Sequence, residues 1–212
     1  MRESINLKRK VDLFFSMILI YFLLPFGIII ALFLKLESRG PVFFKQKRVG
    51  IDGKLFKMYK FRSMTKGDHS AHYRIQDVQI KQHITKVGSV LRKTSLDELP
   101  QLINILKGDM SFIGPRPVLP AHLEQYNSYH MQRLYMKPGV TGLAQVKGRN
   151  TLPWSKRIEY DVQYVNNYSI WLDIKIILKT IKVVLMREGV ATNQTMGEME
   201  DFHIRKSGED KK

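Results

Sequence analysis

Residues 13–34 form an uninterrupted run without a charged side chain, and this run limits what the chain can fold into. As a straight α-helix it would be about 33 Å long, at ~1.5 Å per residue, which is enough to cross a bilayer. The run is too long for a cleaved signal peptide, and no A-x-A site follows it. It therefore predicts a helix inserted in a membrane.

Two features of this run favour a hairpin over a simple span. Pro25 lies near its middle, and an interior proline bends a helix because it removes a backbone hydrogen bond. Basic residues flank the run on both sides, whereas a span places them on one side. These are Arg2, Lys8, Arg9 and Lys10 before it, and Lys35, Arg39, Lys45, Lys47 and Arg48 after it. We expect a re-entrant helix with a break at Leu24-Pro25 and both ends in the cytoplasm, with a simple span as the alternative.

The charge of the chain indicates an anionic partner. Its 35 Lys and Arg residues exceed its 19 Asp and Glu residues, which gives a net charge of +16. Nucleic acid, an anionic membrane surface and a phosphorylated substrate all fit this balance. Because the chain has no cysteine, disulfide bonds and thiolate metal sites are excluded.

Two adjacent carboxylates, Asp97 and Glu98, stand where the sequence predicts the start of a helix. Ser95 and Glu98 match a capping box, and Asp97 is the alternative cap because Pro100 disturbs the first turn. Capping alone would explain both acids, but the positive end of a helix also suits phosphate. The predicted helix has an apolar stripe and a basic, glycine-terminated end, formed by Leu99, Leu102, Ile103 and Leu106, then Lys107 and Gly108.

A hairpin with two cations on one face precedes this helix. Val42–Gln46 and Leu55–Arg62 have the composition of strands, and Asp52-Gly53 between them is a turn signal. Since side chains alternate along a strand, Lys60 and Arg62 point to the same face. Two cations on one face could bind a phosphate, although lysine also protects solvated strand edges.

Two further arginines are candidates for phosphate binding. Arg116 stands between Pro115 and Pro117, which hold it in a stiff, non-helical segment suited to bidentate phosphate binding. Arg92 ends a short basic helix predicted at Ile84–Lys93, where compensation of the helix dipole is the alternative role.

The sequence predicts an α+β fold that is mainly α. Short amphipathic helices and a small β-hairpin follow the membrane helix, with further helices at about Pro120–Met136, from Pro153 towards Tyr168, and at Ile170–Arg187. We divide the chain into a membrane-inserted region at residues 1–39, a cytoplasmic catalytic domain at the membrane surface at 40–189, and a polar, disordered tail at 190–212.

These parts suggest phosphoryl chemistry on a lipid substrate. A carboxylate can form an acyl phosphate when cations neutralise the phosphoryl group. In this context several motifs resemble, in order, those of the bacterial sugar transferase family, the small monotopic phosphoglycosyl transferases. They are Pro41-Val42-Phe43-Phe44-Lys45-Gln46, Tyr59-Lys60-Phe61-Arg62-Ser63-Met64, the run from Arg92 to Gln101, Leu106-Lys107-Gly108-Asp109-Met110-Ser111, Gly114-Pro115-Arg116-Pro117 and Pro138-Gly139-Val140-Thr141-Gly142.

The resemblance implies transfer of a sugar 1-phosphate from a UDP-sugar to polyprenyl (undecaprenyl) phosphate, with release of UMP. Asp97 would be the nucleophile, Glu98 would assist it as metal ligand or base, and Mg²⁺ would be the cofactor held by both acids. The implied substrate-binding cations are Lys60, Arg62, Arg92, Arg116 and Arg149. The family's helix break is commonly Ser-Pro, whereas this chain has Leu24-Pro25.

The resemblance also implies a location and a pathway. The protein would work at the cytoplasmic face of the bacterial inner membrane, in the first membrane step of exopolysaccharide, capsule or glycoconjugate assembly. Its partners would be membrane lipid and downstream glycosyltransferases, and the sequence leaves open the sugar and whether the chain forms a homodimer. The alternative is a membrane-anchored, basic nucleic-acid-binding module without catalysis, which would leave the two acids unexplained.

Overall fold

The computed structural model describes residues 2–65, 83–148 and 152–186. Within these residues the protein is mainly helical and contains two small sheets, which confirms the predicted fold class at that level. The chain forms two compact units. The first consists of Met1–Arg48 and Leu55–Met110, and the second of Val49–Lys54 and the chain from Ser111 onward. The predicted boundary between residues 39 and 40 is a membrane boundary and stays a prediction.

Helix α1, Arg2–Glu37, has 36 residues. It is long and apolar enough to cross a membrane by length and composition, which confirms the predicted N-terminal apolar helix. The helix continues through Pro25, and its helical structure is not interrupted at the predicted break, Leu24-Pro25. The re-entrant topology itself stays a prediction.

Helix α1 contacts the rest of the first unit near both of its ends. Near its start, Arg9 donates hydrogen bonds to the carbonyl oxygens of Ile105 and Leu106. Near its end, Leu34 is fully buried, while no residue of the stretch 17–33 is buried. The apolar middle of α1 is therefore exposed, as a membrane-embedded segment would be.

The first unit adds a hairpin and two short helices to α1. Strands β1, Phe43–Val49, and β2, Leu55–Phe61, form one sheet and are joined by a 3₁₀ turn at Ile51–Gly53. A connection this short permits only antiparallel pairing, so the predicted hairpin is confirmed. Helices α2, Lys86–Thr94, and α3, Gln101–Lys107, follow it, and Leu34, Phe61 and Leu91 form the apolar core between these elements.

Asn104 fixes α3 to strand β2. Its side chain is fully buried, accepts a hydrogen bond from the N–H of Tyr59 at 3.0 Å and donates one to the carbonyl of Lys57 at 2.7 Å. Its amide also donates to Asp109 at 3.1 Å. Asn104 thus satisfies backbone groups of β2 much as a neighbouring strand would, and it sets the position of β2 relative to α3.

The second unit contains a short parallel sheet and the remaining helices. Strands β3, Ser111–Ile113, and β4, Gly139–Thr141, pair with Ser111 opposite Gly139 and Ile113 opposite Thr141. Around them lie α4, Ser128–Met131, α5, Leu143–Lys147, α6, Trp154–Asn166, and α7, Ile170–Leu185. The main apolar core of this unit consists of Ile113, Met136, Leu143, Tyr164, Val165 and Ile176.

The prediction of one continuous helix at about Pro120–Met136 is wrong. The segment forms a 3₁₀ helix at Pro120–Gln125, then α4, then a second 3₁₀ helix at Gln132–Tyr135. The break lies at Tyr126, whose backbone is extended, and the Asn127 side chain caps the new helix by accepting from the N–H of His130. The two later helices form close to their predicted positions, whereas the predicted tail at 190–212 lies outside the described residues.

Candidate active site

The two acids, Asp97 and Glu98, lie in a 3₁₀ turn at Leu96–Glu98, between α2 and α3. Ser95 enters this turn with a left-handed backbone, at φ 60°, which is uncommon for a residue other than glycine. It ends α2 and makes no side-chain cap, and the residue before α3, Pro100, makes none either. The predicted capping box, in which the Ser95 side chain would cap the helix, is therefore wrong.

Helix α3 buries the predicted face only in part. Leu102 is buried as predicted, and Gln101, Asn104 and Ile105 are buried as well, whereas Ile103 and Leu106 are only half-buried. The difference arises because Asn104 faces β2 and the carbonyl ends of the helix accept hydrogen bonds from Arg9. The helix that carries the acids at its start is thus held by polar contacts as well as by apolar packing.

Lys60 of strand β2 reaches both acids. Its ammonium nitrogen lies 2.6 Å from Glu98 Oε1 and 3.9 Å from Asp97 Oδ2. The three side chains are only partly exposed, at 19% for Lys60, 13% for Asp97 and 18% for Glu98, so water screens these charges incompletely. The ammonium offsets the repulsion between two adjacent carboxylates and holds Glu98 in one position.

Arg62 shares the predicted face with Lys60 but has a different set of contacts. It is 6% exposed, and its Nη2 donates to the carbonyls of Leu34, at 2.8 Å, and Ser38, at 2.7 Å, where α1 ends. Its Nε and Nη1 are buried without a hydrogen-bond partner. A side chain at Gly40 would come within 2.2 Å of Nη1, and Gly40 also has a left-handed backbone at φ 135°, so only glycine fits there. Arg62 thus ties β2 to the end of α1, and its predicted contact with phosphate stays a prediction.

The other predicted cations are Arg92, Arg116 and Arg149. Arg92 is exposed in the last turn of α2. Arg116 belongs to the second unit and lies in a non-helical segment, as the sequence predicted, with its side chain exposed between two buried prolines. Gly114 supports this segment, since a side chain there would meet the carbonyl oxygen of Lys137 at 2.3 Å. Arg149 lies outside the described residues.

The model of the family described as bacterial sugar transferase matches residues 3–187, which is most of the chain. The chain belongs to the bacterial sugar transferase family. The predicted membership of this family, and with it of the transferase class of enzymes, is confirmed, and the nucleic-acid-binding alternative is not favoured.

Individual relatives in this family differ in length. The uncharacterized sugar transferase EpsL of Bacillus subtilis is 47% identical over 165 residues, which cover 77% of this chain and 80% of EpsL. A UDP-glucose:undecaprenyl-phosphate glucose-1-phosphate transferase of Klebsiella pneumoniae is 47% identical over 182 residues, 82% of this chain and 39% of that protein. An undecaprenyl-phosphate galactose phosphotransferase of Salmonella typhimurium is 42% identical over 203 residues, 89% of this chain and 42% of that protein. The chain spans about two fifths of the length of the last two relatives.

The family resemblance implies a bound magnesium ion, for which the chain has to offer oxygen ligands. Among residues 2–65, 83–148 and 152–186, no group of three or more His, Asp or Glu side chains could hold a metal. Asp97 and Glu98 offer carboxylate oxygens, and Mg²⁺ is commonly bound by one or two carboxylates together with substrate phosphates. The pair therefore fits a magnesium ion shared with a phosphorylated substrate.

Sequence reasoning missed one charged cluster in the second unit. Arg133 and Asp161 form a buried ion pair, to which Tyr126 is also hydrogen-bonded. Burial raises the pKa of Asp161 to about 6, and the neighbouring Arg133 opposes this rise. The signal lay in α6, where Asp161 falls on the apolar stripe formed by Ile158, Val162 and Val165. An aspartate on a buried helix face requires a partner, and the sequence does not reveal that Arg133 supplies it.

The contacts of Arg62 and Arg92 predict that only the loss of Arg62 lowers the stability of the protein. Replacing Arg62 with Met leaves the carbonyls at the end of α1 without their donor, and we expect it to lower the free energy of unfolding by about 1–3 kcal/mol. Arg92→Met, the matched control, changes an exposed side chain and should stay within about 0.5 kcal/mol of the wild type. Thermal unfolding in detergent measures both variants. If Arg62→Met keeps the wild-type midpoint but abolishes turnover, Arg62 acts on the substrate and its contact with α1 is incidental.

Proposed function

We propose that the protein is a phosphoglycosyl transferase that moves a sugar 1-phosphate from a UDP-sugar to polyprenyl phosphate and releases UMP. The observation that carries this proposal is the acidic pair Asp97-Glu98 held by Lys60, in a chain of the bacterial sugar transferase family. The names of two relatives, which include UDP-glucose, undecaprenyl-phosphate, glucose-1-phosphate and galactose, support these substrate classes.

The proposed reaction has two displacements at one phosphorus. In the first, an oxygen of Asp97 attacks the phosphorus bonded to the sugar, a P–O bond to Asp97 forms, and the P–O bond to UMP breaks. In the second, a phosphate oxygen of polyprenyl phosphate attacks the same phosphorus and the Asp97 carboxylate leaves. Because the two steps follow one another, the nucleotide sugar and the lipid need not be bound together.

The side chains near Asp97 have distinct proposed roles. Glu98, held by Lys60 at 2.6 Å, would orient the acidic pair and act as a metal ligand or as a base for the lipid phosphate. Lys60 is 3.9 Å from Asp97 and would shift towards phosphate oxygens, where its charge offsets that of the transferred group. When bound by Asp97 and Glu98, magnesium would withdraw charge from the phosphoryl oxygens.

The exposed arginines are proposed to bind phosphate groups of the substrates. Arg116 has a planar guanidinium on a stiff segment between prolines, which suits bidentate contact with a phosphate. Arg92 is exposed in the last turn of α2, three residues before Ser95 and the acidic turn. Arg62 and Arg149 keep their predicted substrate contacts within this proposal.

Helix α1 is proposed to enter the cytoplasmic face of the inner membrane and return to that face. Both of its ends make polar contacts within the first unit. Arg9, near the start of α1, donates to the carbonyl of Ile105, and the carbonyl of Leu34, near its end, accepts from Arg62. Its exposed apolar middle contains Pro25, the one residue of α1 that cannot donate a backbone hydrogen bond. These observations support a bend near Leu24-Pro25 rather than a span with ends on opposite sides.

A lipid-linked sugar is the starting point for assembly of a polysaccharide or glycoconjugate on the membrane. We place the protein at this first membrane step, with downstream glycosyltransferases as the consumers of its product. The name of one relative, the exopolysaccharide production protein ExoY of Rhizobium meliloti, supports this step. ExoY is 39% identical to this chain over 196 residues.

Substitution of the two acids tests the proposed chemistry. Asp97→Asn replaces the nucleophile with an amide of similar size, so we expect no UMP release with any UDP-sugar, with or without polyprenyl phosphate. Glu98→Gln should slow turnover while the UDP-sugar still binds. Glu124→Gln, an acid-to-amide change at an exposed residue, is the control and should keep wild-type activity. Turnover by Asp97→Asn at the wild-type rate would exclude Asp97 as the nucleophile.

Single cysteines test the topology, since the chain has none of its own. Asn6→Cys lies near the start of α1 and Ala121→Cys lies beyond its end, and both positions are exposed. We expect an impermeant thiol reagent to label neither in intact cells and both in permeabilised cells. Labelling of Asn6→Cys alone in intact cells would mean that α1 spans the membrane with its N-terminus outside.

A further inference from the structure

The buried ion pair between Arg133 and Asp161 takes no part in the two displacements of the proposed reaction. The Arg133 side chain is 3% exposed and the Asp161 side chain is 1% exposed, so both charges are almost completely removed from water. Replacing such a pair with apolar side chains is often neutral or even stabilising, so stability alone explains it poorly.

The third partner of Arg133 suggests what the pair does. Besides Asp161 and the hydroxyl of Tyr126, the guanidinium donates a hydrogen bond of 3.0 Å to the backbone carbonyl of Arg116. Arg116 is the exposed arginine between two prolines to which we assign phosphate binding. A guanidinium presents its donors in a rigid planar fork, so the bonds to Asp161, from the same Nη2, and to Tyr126, from Nη1, fix the direction of this bond.

The backbone around Arg116 is fixed on both sides of this contact. The carbonyl of Pro115 accepts from the N–H of Gly139 at 2.9 Å, and the carbonyl of Val118 accepts from the N–H of Val49 at 2.9 Å. Arg133 supplies the hydrogen bond at Arg116 itself, where the exposed side chain begins. Three carbonyls of this segment, those of Pro115, Arg116 and Val118, thus accept hydrogen bonds, while the Arg116 side chain is exposed.

We propose that Arg133 is a positioning residue for Arg116, held in place by Asp161 and Tyr126. It fixes the main chain beneath the exposed guanidinium, so that Arg116 meets a substrate phosphate without first losing backbone freedom. This inference rests on the proposed function, because it assigns Arg116 a phosphate of the nucleotide sugar or of the lipid as its ligand.

The charge state of the cluster agrees with this role. Arg133, Arg116 and Arg157 act electrostatically on Asp161, and Asp161 in turn acts on Tyr126. Burial raises the pKa of Asp161 to about 6, so the carboxylate is ionised at neutral pH and can hold Arg133. Burial also raises the pKa of Tyr126, which therefore stays a neutral phenol.

A double-mutant cycle between Arg133 and Arg116 tests the proposal. Arg133→Lys keeps the charge but loses the planar fork, and we expect kcat/KM for UMP release to fall by about 10²-fold. Arg116→Lys should lower it at least as much. If Arg133 acts through Arg116, the double variant should match Arg116→Lys within about twofold. Arg39→Lys, the same change at an exposed arginine outside this cluster, is the matched control and should keep the wild-type kcat/KM.

Each outcome of this cycle has a distinct meaning. Losses that multiply in the double variant would show that Arg133 supports the fold and would overturn the positioning role. If Arg133→Lys fails to fold, Arg133→Met with Asp161→Leu removes both charges together and should keep the thermal midpoint. That pair of changes should still lose kcat/KM, and full activity in it would also overturn the proposal. A wild type that releases no UMP from any UDP-sugar would refute the proposed function, and the positioning role with it.

Discussion

The ion pair between Lys60 and the adjacent acids is the contact on which the proposed site depends. Two neighbouring carboxylates repel each other, and the Lys60 ammonium, 2.6 Å from Glu98 and 3.9 Å from Asp97, offsets that repulsion. Lys60 can reach them only if strand β2 lies against the turn that carries them. Asn104 secures this arrangement, because it bonds to the backbone of β2 from within α3, the helix that follows the acids.

Charged and polar contacts also connect the apolar helix to the unit that carries the acids. Arg9 binds the carbonyl end of α3, Arg62 binds the carbonyl end of α1, and the Glu37 carboxylate accepts from the first N–H groups of α2. Each contact satisfies a helix end that would otherwise leave backbone groups unpaired. The proposed lipid substrate would then meet the acids of a unit that contacts the long apolar helix near both of its ends.

The sequence predicted the features that are encoded locally. The apolar run of α1, the turn of the β1–β2 hairpin, and helices α6 and α7 follow from spacing and composition within short windows. The two acids were identified because they are adjacent and stand where a helix is predicted to start. Arg116 was identified because the proline on each side restricts its backbone. The roles of the individual cations as substrate contacts stay predictions.

What the sequence could not supply depends on contacts between distant residues. Asn104 meets β2 across 45 residues of chain, and Arg133 meets Asp161 across 28. The parallel β3–β4 pair has only three residues in each strand, too few for a periodic signal. The segment at Pro120–Tyr135 has helical composition, but an extended Tyr126 divides it, and this depends on packing of Tyr126 beside Val49, Val118 and Leu134.

The covalent intermediate on Asp97 is the central claim, and mass spectrometry tests it most directly. The full chain in detergent is incubated with UDP-sugars but without polyprenyl phosphate, quenched, and measured intact and as peptides. The account predicts a mass increase equal to one sugar phosphate on the peptide that contains Asp97, lost when polyprenyl phosphate is added and absent from Asp97→Asn. If no adduct forms and UMP appears only when both substrates are present, the lipid phosphate attacks the nucleotide sugar directly and the account is wrong.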